Sequence, residues 1–214
     1  MKNKKMLLRC VEDFTSGPFQ ANGGMPKETY LDIKILQDIG FHSDCIGKVR
    51  DFFKIPSPIR IGFQPSERNP EYARQKQAMQ HLRQYGHLLG QEYFFEMLGI
   101  IREAPIKPAM VEVSDYWPLY GTPDFARMKI TMFIKRWVMI TPVETLITVA
   151  SHEMAHILLH ALKSPHRNDE IATDILAMII TGPKIIRMGR IFGNRRFSYL
   201  DDEQFDIVQR AILK

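Results

Sequence analysis

The stretch from Pro142 to Leu162 limits the fold of this chain more than any other. It is mostly apolar, yet it carries Glu144, His152, Glu153, His156 and His160. Thr141-Pro142-Val143-Glu144 has the form of a capping box with proline in the first turn, and Ser164-Pro165 breaks the pattern at the far end. A helix is therefore expected from about Thr141 to Lys163, and so apolar a helix has to be surrounded by the rest of the chain. Its exceptions, Thr145, Thr148, His152, His156 and His160, recur every three or four residues as one stripe, and polar groups in a buried place need partners. The stretch is also long enough to cross a bilayer. Its ionisable residues, and the lack of a second apolar run near about 18 residues, favour a buried helix in a soluble protein instead.

With 214 residues, 45% of them hydrophobic, the chain can bury one full core. Residues 1–100 are expected to form a mainly helical N-terminal region of the same globule, with helices near Lys27–Ile39 and Ser43–Phe53. Thr15–Pro26, with Gly17-Pro18 and Gly23-Gly24, reads as a loop. After Pro56 and Pro58, Ile59–Phe63 reads as a strand, and Asn69-Pro70 opens a long polar helix to about Ile101. Ala109–Val113 and Met128–Ile140 have strand character; in the second, Ile130, Met132 and Ile134 alternate with polar neighbours. Downstream, Asn168 can cap a helix from Asp169 to Thr181, ended by Gly182-Pro183, and a last helix covers about Asp201–Leu213. Strands that precede the main helices point to an α+β fold.

Residues 152–156 read His-Glu-Met-Ala-His. On a helix, positions i and i+4 lie one above the other, so both imidazoles can reach one tetrahedral zinc ion at about 2.0–2.1 Å. Glu153 lies beside that face, where a carboxylate can take a proton from a water activated by the metal. A catalytic site needs a third protein ligand, and His160, His166, Asp169, Glu170 and Asp174 are the candidates. His160 continues the same helix line and cannot surround the ion. His166 could swing back after Pro165, while Glu170 and Asp174 sit one turn apart on the next helix.

The His-Glu-x-x-His motif, followed by Glu170-Ile-Ala-Thr-Asp174-Ile-Leu-Ala177, resembles the gluzincin group of zinc metallopeptidases over about residues 141–183. The resemblance implies a zincin-like fold, in which a small mixed or antiparallel sheet packs on a central active-site helix and further helices sit at both ends. Residues 101–214 would form that catalytic region. It also implies Glu170 as third ligand, Asp174 as hydrogen-bond partner of a ligand histidine, and Zn2+ as cofactor. Tyr199 is then a candidate oxyanion donor, and Met128–Ile140 the edge strand on which an extended peptide substrate lies. The implied activity is peptide-bond hydrolysis. The rivals are a regulatory or binding protein on a zincin scaffold and a secreted effector with a single target.

The net charge of +5 is small, and no nucleic-acid motif stands out, so nucleic acid is not an expected partner. Cys10 and Cys45 have no metal or disulfide spacing. Only Met6, Leu7 and Leu8 follow the charged start before Arg9, too few for a cleavable export signal, and a cytoplasmic location is expected. Lys184, Arg187, Arg190, Arg195 and Arg196 form a basic run that reads as a solvated surface, or as a seat for an acidic group.

Overall fold

Apolar residues spaced by three and four open the chain. The computed structural model describes residues 4–17, 24–62, 84, 108–112, 116–193 and 195–213. Helix α1, Lys4–Thr15, buries Leu7, Cys10, Val11 and Phe14 along one face, within the region expected to be mainly helical. Helices α2, Lys27–Asp38, and α3, His42–Phe52, lie within a residue of their expected bounds. The long helix expected from Pro70 to Ile101 lies outside the described residues, Gln84 excepted.

Strands β1, Ile59–Gly62, and β2, Ala109–Val111, flank β3, Ile130–Ile134, in a three-stranded mixed sheet. β1 pairs parallel with β3, Ile59 opposite Ile130, and β2 pairs antiparallel, Ala109 opposite Ile134. β3 is the central strand, so it is not an edge on which a peptide could lie. It also stops at Ile134, and Arg136–Ile140 forms a 3-10 turn instead of continuing the strand. Burial in that turn abandons the two-residue period: Val138 and Met139 are buried side by side while Ile140 is 84% exposed. A short helix, α4, Pro123–Arg127, leads into β3, with the Thr122 hydroxyl accepting from Phe125 N and proline in its first turn.

Helix α5, Val143–Ala161, follows the 3-10 turn. Of its 19 residues only Glu144, His156 and His160 are not fully buried. Its start is not a capping box. The Thr141 hydroxyl donates to Val138 O at 2.7 Å, and Glu144 Oε1 accepts from the Tyr30 hydroxyl at 2.6 Å. Pro142 begins the helix through its own backbone, its carbonyl accepting from Thr145 N and Leu146 N. The far end closes with Lys163 in the left-handed region, φ 55°, and Ser164 N reaching back to Leu159 O.

Helix α6, Glu170–Thr181, is capped by Asp169, not Asn168: Asp169 Oδ1 accepts from Ile171 N and Ala172 N. Gly182, at φ 98°, turns the chain sharply. Pro183, expected as a stop, opens a further helix, α7, Pro183–Gly189, because proline suits a first turn as well as it ends one. A Cβ on Gly189 would stand 2.0 Å from Glu144 O and 2.2 Å from Thr148 Oγ1, so only glycine lets α7 cross α5 this closely. A two-residue hairpin pair, β4, Ile191–Phe192, and β5, Arg195–Arg196, precedes α8, Asp202–Ile212, whose start is a capping box of Asp201 and Gln204.

α3, α6, α7 and β2 all pack on α5, while α1 lies against α6 and α8. One hydrophobic cluster runs from Leu7 through the sheet and α5 to Val208. Helices and a small mixed sheet thus make an α+β arrangement. Among the described residues no helix is long and apolar enough to cross a membrane.

Candidate metal centre

His152 and His156 lie one turn apart on α5, and the first turn of α6 brings Glu170 against them. Their imidazole Nε2 atoms are 3.1 Å apart, and Glu170 Oε2 is 3.0 Å from each. The rings stand nearly perpendicular, at 82°. Ligands at about 2.0–2.1 Å on a tetrahedral ion are separated by roughly 3.3 Å, so this triangle is close to one face of a zinc tetrahedron. Hydrogen bonding alone accounts for it poorly. If both Nε2 atoms carried hydrogens for Glu170, two donors would crowd one oxygen with their nitrogens 3.1 Å apart. Two imidazoles and one carboxylate this close together are a donor set that could hold a metal ion.

The far side of each ring supports the same orientation. His152 Nδ1 is 2.7 Å from Asp174 Oδ1, one turn beyond Glu170 on α6. A carboxylate can only accept there, so Nδ1 holds a proton and Nε2 is the nitrogen left to bind an ion once its own proton is displaced. His156 Nδ1 lies 3.4 Å from Thr173 Oγ1. That hydroxyl gives its own proton to Asp169 O at 3.0 Å, which leaves an oxygen lone pair toward the ring. Asp174 is itself held: its Oδ2 accepts from the Ser198 hydroxyl at 2.9 Å and from Tyr199 N at 2.5 Å.

Without an ion, the charges are strongly coupled. Burial pulls the His152 pKa down, but the charge and hydrogen bond of Asp174, the hydrogen bond to Glu170 and the charge of Glu153 outweigh it and push it up to about 10. Burial raises Glu170, whereas its hydrogen bonds with His152 and His156 lower it more, leaving it well below the usual carboxylate range. Three anionic groups around two imidazoles make a place that favours a cation.

The structure sorts the other sequence candidates. Glu153 is buried beside His152. Tyr199 stacks on the His152 ring, centroids 5.6 Å apart, and is 48% exposed. His166, held open as a third ligand, is not brought to the cluster: its Nε2 is 3.6 Å from Asp13 Oδ2 and its ring meets Phe14 edge-on. Asp174, the other alternative, binds the back of His152 and not the triangle. Asp169 is used as a helix cap, and His160 lies against Trp117. The basic run is met largely by α8: Arg187 pairs with Asp206, and Arg190 and Arg196 with Asp202, while Arg195 covers the Trp137 ring. Sequence reasoning missed Thr173 and Ser198. Thr173 is three residues beyond Glu170 on one helix, a spacing that could have exposed it; Ser198 lies in a loop with no periodic signal.

Compared with family models, with curated proteins and with solved structures, the chain finds no match.

Proposed function

We propose that this protein is a zinc-dependent metallopeptidase with a gluzincin-like site on a zincin-like fold. The observation that carries the reading is the triangle of His152 Nε2, His156 Nε2 and Glu170 Oε2 at 3.0–3.1 Å, backed by Asp174 on His152. His152, His156 and Glu170 would hold the ion. A zinc ion held there would supply Lewis acidity toward a substrate carbonyl and would acidify the attacking water.

The remaining chemistry belongs to the chain. Glu153 takes the proton of the attacking water and passes it to the leaving amine as the peptide C–N bond breaks. Its neighbours favour this role, because a carboxylate inside the buried helix next to the ligands is shielded from bulk water. Asp174 keeps the His152 proton on Nδ1 throughout. Tyr199, half-exposed over His152, is the candidate hydrogen-bond donor to the carbonyl oxygen as its charge develops. The substrate is a peptide or protein.

Elemental analysis of the purified protein, followed by incubation of the zinc-loaded form with an unbiased peptide library, tests the reading. Bound zinc with cleavage that vanishes in Glu153→Gln is the expected result. Failure to bind zinc on titration overturns the assignment. Tight zinc binding without cleavage overturns the general peptidase and favours an enzyme with one target, or a regulatory role.

A further inference from the structure

The hairpin of β4 and β5 and the start of α8 are joined by a short strap, residues 197–201, and its contacts converge on the back of the candidate metal centre. Arg190 pins the strap near both ends. Its carbonyl accepts from Phe197 N at 2.7 Å, and its buried guanidinium reaches Leu200 O and pairs with Asp202 beneath the Phe205 ring. Ser198 is itself buried, and its hydroxyl donates to Asp174 Oδ2 while accepting from Leu200 N at 3.1 Å. The next backbone N–H, of Tyr199, donates to that same oxygen, and the Tyr199 ring lies over His152.

We infer that Ser198 is a positioning residue for the metal ligand His152, acting through Asp174. The inference rests on the metal reading above and extends it to a residue 46 positions away in the chain. A carboxylate on a side chain with two free torsions can rotate and present either oxygen. With two donors on Oδ2, rotation of Asp174 breaks both bonds, so Oδ1 stays aimed at His152 Nδ1. The imidazole then cannot tilt without losing its partner, and the Tyr199 ring blocks tilting toward solvent. Without the Ser198 hydroxyl, one of the two restraints on Oδ2 is gone, and the ring arrives at the ion less well ordered. Outer partners of metal ligands commonly change affinity by about 10–100-fold.

The test is a metal-affinity cycle on the full chain, with zinc competed against a chromophoric chelator. Wild type, Ser198→Ala, Asp174→Ala and the double variant are compared. Ser198→Ala is expected to weaken zinc by about tenfold in the wild-type background and to change nothing further once Asp174 is alanine. The visible spectrum of the cobalt-substituted Ser198→Ala protein should differ from wild type, since its ligand field reports the angle of His152. If the double variant does not fold, that spectrum decides alone. Equal losses in both backgrounds, or an unchanged cobalt spectrum with unchanged affinity, overturn the role of Ser198 while leaving the metal reading intact. A wild type that binds neither zinc nor cobalt overturns both.

Discussion

His152 and His156 point their Nε2 atoms at each other across 3.1 Å, with Glu170 completing the triangle. Two imidazoles on one helix reach this distance only when their χ angles turn both rings to the same side. Each ring is held in that pose from behind, His152 by Asp174 and His156 by Thr173. The convergence is therefore built by the second helix as much as by the first.

Removal of one corner should separate binding from chemistry. His156→Ala is expected to abolish stoichiometric zinc, because two protein ligands do not retain a catalytic ion. Glu153→Gln should keep the metal and lower kcat by at least about 10²–10⁴-fold, the range for loss of a general base. Metal content by elemental analysis and peptide hydrolysis, measured on the same preparations, check both.

Zinc and protons should compete for His152. Its folded pKa, about 10 without metal, exceeds the unfolded value of 6.5. The protonated ring therefore stabilises the ion-free fold fully below 6.5, and this contribution is lost as pH rises through about 10. Glu170 has the opposite sign: its lowered pKa stabilises above the usual carboxylate range and is lost as pH falls through the folded value. Since metal has to displace the His152 proton, apparent zinc affinity should rise by about tenfold per pH unit between about 7 and 9. Chelator competition across that range would show the slope, and a flat profile would contradict it.

Tyr199 offers a choice between ring and hydroxyl. If the hydroxyl supports the developing oxyanion, Tyr199→Phe should reduce kcat by about 10–100-fold with KM and metal content nearly unchanged, somewhat less than the loss of a well-fixed oxyanion donor. The phenyl ring would still cover His152. Steady-state kinetics on a cleaved peptide would distinguish this from a purely structural ring, for which Tyr199→Phe would be silent.

Gly189 is predicted to be intolerant of the smallest side chain. A methyl group there would overlap Glu144 O and Thr148 Oγ1, and α7 would have to move off α5. Gly189→Ala should destabilise by about 1–3 kcal/mol, as overpacking does. Denaturant unfolding of the two proteins would measure it.

The helix pair and its site were legible because their signals are local. His-Glu-x-x-His carries its own spacing, and Glu170 and Asp174 follow on the next helix one turn apart. What escaped depends on distant partners. Glu144 looks like half of a capping box until Tyr30, 114 residues earlier, claims its carboxylate. Alternation in Ile130–Ile134 marks a strand but is silent about what lies on either side, so its central place between β1 and β2 could not be read. Pro183 is a stop or a start depending on the φ of Gly182 before it. The Ser198 contact joins a loop to a helix, and no periodicity encodes such a meeting.

Helix α5 carries His152, His156 and much of the core on one rod, with His152 and Glu153 buried among Ala150, Met154 and Ala155. Neither histidine can shift along that rod without dragging apolar neighbours out of register, so on the proposed reading the ion's site and the core move together. A change in coordination should thus be felt as a change in melting behaviour, and a distant packing defect should surface as a weaker grip on the ion.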